Sequence, residues 1–417
     1  MRVCALAAGG HISGGHYNPA VSLTLLIRAG LSLGEFVLYV IAQFAGAALG
    51  GSLASVVPGV MGYPLPGPDL TAALVAEGVP TFALCHTVLH TATVKPASES
   101  SYYGISIGFT VLSGAISIGG VSGCCLNPAV AVLTWLSGNY SLYNLIVYTA
   151  GPLSGALVAG VLFRFITHAK EVNTRSNPAW SCYVIEFIGT FLLCYTVATA
   201  VAPSNKTKYA ALSIGSMLMA QVYAGGATSG ANYNPAVTLS IYLHSRLKGS
   251  KDVRILKALA YILVQLAGGA AAMYVASLTV DTIGQPSDKT RAGPRSLSPA
   301  MVFDVIPVAM LVELIGTFFL CFVVLQVAAS KNNGGQDFFG LAIGFTVVSM
   351  AITLGGTSGG AFNPAVGMLA LSNGLGAAKP MLINYFAGPF LGSIIATLIF
   401  RATNGEEYGR RGYLEMS

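Results

Sequence analysis

Four copies of Asn-Pro-Ala-Val, beginning at Asn18, Asn127, Asn234 and Asn363, constrain this chain more than any other feature. Asparagine is a favoured helix N-cap, and proline suits the first helical position because the N–H it lacks would have no partner there. Each copy therefore marks an abrupt helix start. The apolar run after each extends only about ten residues before a glycine or polar break, whereas a bilayer crossing needs about 20. The sequence predicts four re-entrant half-helices that enter a membrane and stop midway.

The membrane follows from composition. The chain is 54% hydrophobic and 9% charged with a mean hydropathy of +0.70, outside the range of ordinary soluble domains. Runs centred on 34–57, 71–94, 103–120, 143–166, 180–202, 208–227, 255–279, 303–329, 339–357 and 378–400 predict ten spans. The net charge of +6 falls in short clusters between these runs, which excludes a nucleic-acid surface. Arg164–Arg175, His244–Lys257 and the C-terminal stretch Arg401–Arg411 are placed on the cytoplasmic side by their basic residues. The sequons at Asn139 and Asn205 then face the other side, open to glycosylation. The seven cysteines lie mostly within apolar runs without CxxC spacing, which predicts neither a zinc site nor a disulfide framework. No cofactor is expected. Met1–Gly10 is too short an apolar run for a signal peptide and reads as the end of a helix.

The repeat is larger than the tetrapeptide. "GGHISGGHYNPAV" and "GGATSGANYNPAV" form one class, "GGVSGCCLNPAV" and "GGTSGGAFNPAV" a second, in the order A, B, A, B. "EGVPTFALC", "EFIGTFLLC" and "ELIGTFFLC" place Glu77, Glu186 and Glu313 at 50, 48 and 50 residues before Asn127, Asn234 and Asn363. After each copy comes a small-xxx-small pair, Gly46/Gly50, Gly151/Gly155, Gly268/Ala272 and Gly388/Gly392, the spacing that lets membrane helices approach closely.

Each repeat thus holds three crossings and one dip, and an odd number of crossings inverts its successor. Inverted pairs build sites at the bilayer midplane. The expected architecture is all-α, with two tandem units at residues 1–167 and 168–417. Unit 2 has six spans. Aligned with it, Met1 falls opposite Met217, so unit 1 lacks the first helix and part of the second.

Two half-helices meeting N-terminus to N-terminus bring their positive dipole ends together, which repels cations. The paired Asn amides can donate to a neutral molecule passing through an apolar tube. The chemistry implied is selective conduction, without catalysis.

These residues resemble the aquaporin, or major intrinsic protein, family. The likeness rests on the motif Asn18, Pro19, Ala20 with Asn127, Pro128, Ala129, and on Asn234, Pro235, Ala236 with Asn363, Pro364, Ala365. It implies that Glu77, Glu186 and Glu313 prop the backbone of the re-entrant loops. It also implies a selectivity filter of Ile214, Ala351, Gly360 and Val366 in unit 2, and of Ala115, Cys124 and Val130 in unit 1. Family channels usually carry arginine where Val130 and Val366 stand, and the Arg-Asp pattern of glycerol channels is absent. With that charge gone, glycerol, urea, ammonia and hydrogen peroxide join water as expected passengers. Family symmetry implies a homo-oligomer in the bilayer, a dimer of fused units or a tetramer. A structural or junctional protein with vestigial conduction is the alternative reading. A secondary transporter is disfavoured because no coupling carboxylate remains beyond the three explained. His86 and His90, four apart, lack a third metal ligand and read as packing; Cys124 is a candidate for mercurial block; His16 replaces Asn232.

Overall fold

The computed structural model describes residues 2–56, 69–94, 101–136, 141–167, 177–202, 205, 207–250, 253–280, 301–302, 306–331, 336–373 and 377–409. The sequon at Asn139 and much of the inter-unit linker lie outside the described residues. The first unit comprises α1 (Arg2–Ser13), α2 (Pro19–Ile27), α3 (Leu33–Ser55), α4 (Leu70–Ala92), α5 (Tyr103–Ser122), α6 (Pro128–Leu136) and α7 (Leu142–Thr167). The second comprises α8 (Ser181–Ala200), α9 (Ala210–Ser229), α10 (Pro235–Leu247), α11 (Ile255–Ser277), α12 (Val308–Val324), α13 (Phe339–Ser358) and α14 (Pro364–Gly367). Its last span runs from α15 (Ala378–Met381) through a π-helical stretch, Leu382–Ala387, into α16 (Gly388–Thr403). A two-residue ribbon pairs β1 (Met301–Val302) with β2 (Ile306–Pro307).

Among the described residues nine helices are long and apolar enough to cross a membrane. The tenth expected span is α9, which is 20 residues long but less apolar. It carries Ser213, Ser216 and Gln221, all at 0% exposure. A helix enclosed by protein on every side needs no lipid-facing surface, so a hydropathy threshold misses it.

The half-helices begin as the motif dictates. Asn18, Asn234 and Asn363 are N-caps in extended backbone, each accepting the N–H two residues on at 2.9 Å, with proline at the first helical position. Asn127 does the same for Ala129 at 3.1 Å. The fourth half-helix is irregular: after Gly367 it continues as a 3₁₀ turn, Met368–Asn373.

Small residues bring three pairs of spans into backbone contact. A Cβ on Gly155 of α7 would lie 2.2 Å from the Gly78 carbonyl of α4, one on Gly268 of α11 2.7 Å from that of Phe187 on α8, and one on Gly392 of α16 2.3 Å from that of Leu314 on α12. On α3 the equivalent Gly46 and Gly50 meet nothing within 4 Å among the described residues. That helix packs chiefly on α2 and α6, and Leu38 at 67% and Leu53 at 63% exposure stay uncovered by the described residues.

The units join through α5 and α9, where Ser113 Oγ donates to the Ser213 carbonyl at 2.9 Å and Ser213 Oγ returns the bond at 2.8 Å. One expectation fails at this seam. Asn205, read as an open glycosylation sequon, is buried, and its Nδ2 donates to the carbonyls of Ile116 at 2.8 Å and Ser117 at 2.9 Å while its Oδ1 accepts from Gly120 N–H. Its amide serves as a cross-unit cap at the end of α5, which leaves no room for a glycan.

Candidate conduction pathway

The residue before each motif Asn is bulky, yet sits in left-handed backbone: Tyr17 at φ 48, Leu126 at 51, Tyr233 at 49 and Phe362 at 48. A non-glycine residue there costs about 1–2 kcal/mol, and the surroundings must hold it. In three cases a buried glutamate does so. Glu77 Oε2 accepts from Leu126 N–H at 2.7 Å, Glu186 Oε2 from Tyr233 N–H at 2.7 Å, and Glu313 Oε2 from Phe362 N–H at 2.5 Å. The other carboxylate oxygen takes a serine hydroxyl (Ser122, Ser229, Ser358) and the preceding amide (Cys125, Asn232, Ala361). Gln265 adds a fourth donor to Glu186 at 2.8 Å. Every such carboxylate is fully buried and multiply bonded, which disposes of most of the penalty for a polar group at membrane depth.

The carbonyls of the same four residues are gripped from the opposite half. Asn18 Nδ2 donates to Leu126 O at 2.8 Å and Asn127 Nδ2 to Tyr17 O at 3.0 Å; Asn234 donates to Phe362 O and Asn363 to Tyr233 O, both at 2.9 Å. Each amide therefore spends one of its two N–H groups on the fold.

In the second unit both asparagines line one cavity of about 570 Å³. It passes from Ile214, Gly360 and Val366 at one end, through a sleeve of Leu193, Val197, Leu218, Val222, Leu320 and Val324, to Phe339, Gln336 and Asp337 at the other. Asp337 is the one lining residue that is charged at neutral pH, and it stands at the mouth. There the Ser101 hydroxyl and amide hold its carboxyl below the ordinary carboxylate range. Ala351 backs the wall, its Cα 3.5 Å from where a Cβ on Gly360 would lie, while Val347 and Ile343 of the same helix face the lumen. Hydropathy gives no means of telling which of these three faces inward.

The first unit is arranged differently. Asn127 and Val130 face an open groove of about 710 Å³ shared with Ile12, Tyr17, Leu38 and Gly46, and a separate space of about 30 Å³ lies between α2, α4 and α5. Ala115 is exposed and Cys124 partly so. Tyr17 is 43% exposed, whereas its counterpart Tyr233 is buried against α8. His16 bonds Ser22 Oγ at 3.1 Å and stacks on Tyr39, as Asn232 bonds Thr238 at 3.2 Å. His86 and His90 are buried 4.4 Å apart, ring to ring, packed on Phe82 and Phe163. No cluster of three metal-binding side chains occurs among the described residues.

The family profile described as major intrinsic protein matches residues 1–163, 108–217 and 171–400. The middle match straddles the seam, as expected of repeats that resemble one another. A glycerol uptake facilitator protein-like 6 of Lactiplantibacillus plantarum is 29% identical over 229 residues, covering 54% of this chain and 99% of the relative. Aquaporin-4 of Mus musculus is 34% identical over 44% of this chain and 59% of its own length. A probable aquaporin TIP2-2 of Oryza sativa subsp. japonica is 36% identical over 39% of this chain and 66% of its own. With this profile matched end to end and repeated, on a fold of paired re-entrant half-helices, the chain belongs to the major intrinsic protein family as a tandem duplication.

Proposed function

We propose that residues 168–417 form a passive channel for water and for small neutral solutes of the size of glycerol, urea, ammonia or hydrogen peroxide, and that residues 1–167 are a supporting unit. The observation that carries this reading is one lumen lined by both Asn234 and Asn363 and sleeved between its ends by apolar side chains. Two free amide N–H groups at its midpoint, flanked by the N-termini of α10 and α14, offer donors to an oxygen and an unfavourable potential to a cation. Ile214, Gly360 and Val366 form the uncharged constriction in this reading, with Ala351 behind them. Similarity to both a glycerol facilitator and aquaporins supports the two solute classes together. The basic segments near 164–175 and 244–257 and the C-terminus are assigned to the cytoplasmic side, and the unit works within an oligomer.

Stopped-flow shrinkage of proteoliposomes holding the full chain tests this. Osmotic water flux well above that of empty vesicles, with low activation energy and lost in Asn234→Asp and Asn363→Asp, is expected. Flux equal to empty vesicles, with no glycerol, urea or peroxide uptake, removes the channel reading and leaves a structural role.

A further inference from the structure

Tyr102 belongs to the first unit yet lines the lumen of the second. Its ring stacks on Tyr223 of α9 at 4.3 Å and 13°, and meets Phe339 of α13 edge-on at 5.9 Å. Tyr223 in turn donates its hydroxyl to the Asp337 carbonyl at 2.8 Å and accepts the Leu341 N–H at 3.1 Å. Next to Tyr102, Ser101 clasps the same loop: its N–H and its hydroxyl both donate to Asp337 Oδ2, at 2.9 and 2.6 Å. One unit thus grips the other at the rim of its lumen.

The repeat supplies an internal comparison. Ser101 and Asp337 each stand 26 residues before the second Asn of their unit, so Tyr102 corresponds to Phe338. Phe338 is 46% exposed and is absent from the lumen's lining residues. The same helix-start position is therefore a wall residue where a neighbouring unit stands against it, and a bare surface aromatic where none does. Aromatic stacking of this kind is worth about 0.5–1.5 kcal/mol beyond burial, enough to fix one ring at a rim.

Resting on the channel reading of the second unit, we propose that Tyr102 is a specificity-determining residue of the second unit's channel, supplied by the first unit, and that Ser101 and Asp337 position it. Its ring narrows the Asp337 mouth and disfavours small polyols relative to water. This gives the first unit a part in conduction without a lumen of its own.

The test compares glycerol and water permeability of the full chain in proteoliposomes. Tyr102→Ala is expected to raise the ratio of glycerol to water permeability by about two-fold or more, as a pore-wall truncation should; Tyr102→Trp lowers it and Tyr102→Phe leaves it unchanged. Ser101→Ala shifts the ratio in the direction of Tyr102→Ala by a smaller factor. Phe338→Ala, at the matched position outside the lumen, leaves it unchanged and controls for general loosening. A chain that conducts normally while the Tyr102 variants behave like Phe338→Ala overturns this inference alone. A wild-type chain that passes neither solute overturns the channel reading, and the inference with it.

Discussion

Asn234 and Glu313, from opposite halves of the second unit, meet on a single residue: Phe362 gives its N–H to Glu313 and its carbonyl receives the Asn234 amide. The strained left-handed residue is thereby held on both sides. Leu126 repeats the arrangement with Glu77 and Asn18, and Tyr233 with Glu186 and Asn363. The glutamate and the asparagine form one mechanical element, so the orientation of the lumen amide depends on a carboxylate that never touches the lumen.

Glu313→Gln tests that coupling. A glutamine oxygen can serve only part of the donor set of Ser358, Ala361 and Phe362, and its NH₂ group faces donors. The loss should be about 2–4 kcal/mol, read as a lower thermal midpoint in nanodiscs, with water permeability falling as well. Unchanged stability and flux would show that the loop holds its shape without the carboxylate.

Gly268 and Gly46 occupy the same place in the repeat and should respond oppositely to alanine. At Gly268 the new Cβ would stand 2.7 Å from the Phe187 carbonyl, and overpacking of this kind costs about 1–3 kcal/mol. At Gly46 it meets nothing within 4 Å, so the gain in helix propensity, up to about 1 kcal/mol, stands unopposed. Equal effects in a stability assay would mean that α3 is covered in the folded protein.

Val366→Arg brings a long charged side chain to a ring shared with Ile214 and Gly360. Glycerol uptake should fall by about ten-fold or more while water still passes, since pore diameter and donors set selectivity. Glycerol flux unaffected by the substitution would place the constriction elsewhere.

The Asp337 clasp has a defined pH window. The Ser101 hydroxyl lowers the carboxyl from its usual 3.8, so the folded state binds its proton more weakly than the unfolded one. Its stabilisation is complete above the usual value and disappears as pH falls through the lowered one. The group is exposed, so the effect is under about 1 kcal/mol. The stability difference between wild type and Asp337→Asn should be constant from about pH 5 to 8 and shrink only in stronger acid; a change near neutrality would point to another group.

Much of the fold is legible in the sequence because it is periodic. The four Asn-Pro caps locate the half-helices, and α9, less apolar than the other spans, is still legible as the run at 208–227. What escapes is set by contacts between distant segments. Nothing about Leu126 or Phe362 as residue types predicts positive φ, which only their glutamate partners make tolerable. Asn205 carries a sequon and nothing to show that its amide reaches α5. Tyr102 and Phe338 share a repeat position and have different surroundings, so pattern alone assigns them one role.

The open Gly46–Gly50 stripe of α3 shows that one sequence signature can end in two different states. On α11 the matching stripe is a sealed joint, pressed on the backbone of α8; on α3 no described helix closes over it, and the stripe instead borders the groove that Asn127 faces. Small-xxx-small spacing is thus a licence for close approach and not a guarantee of it.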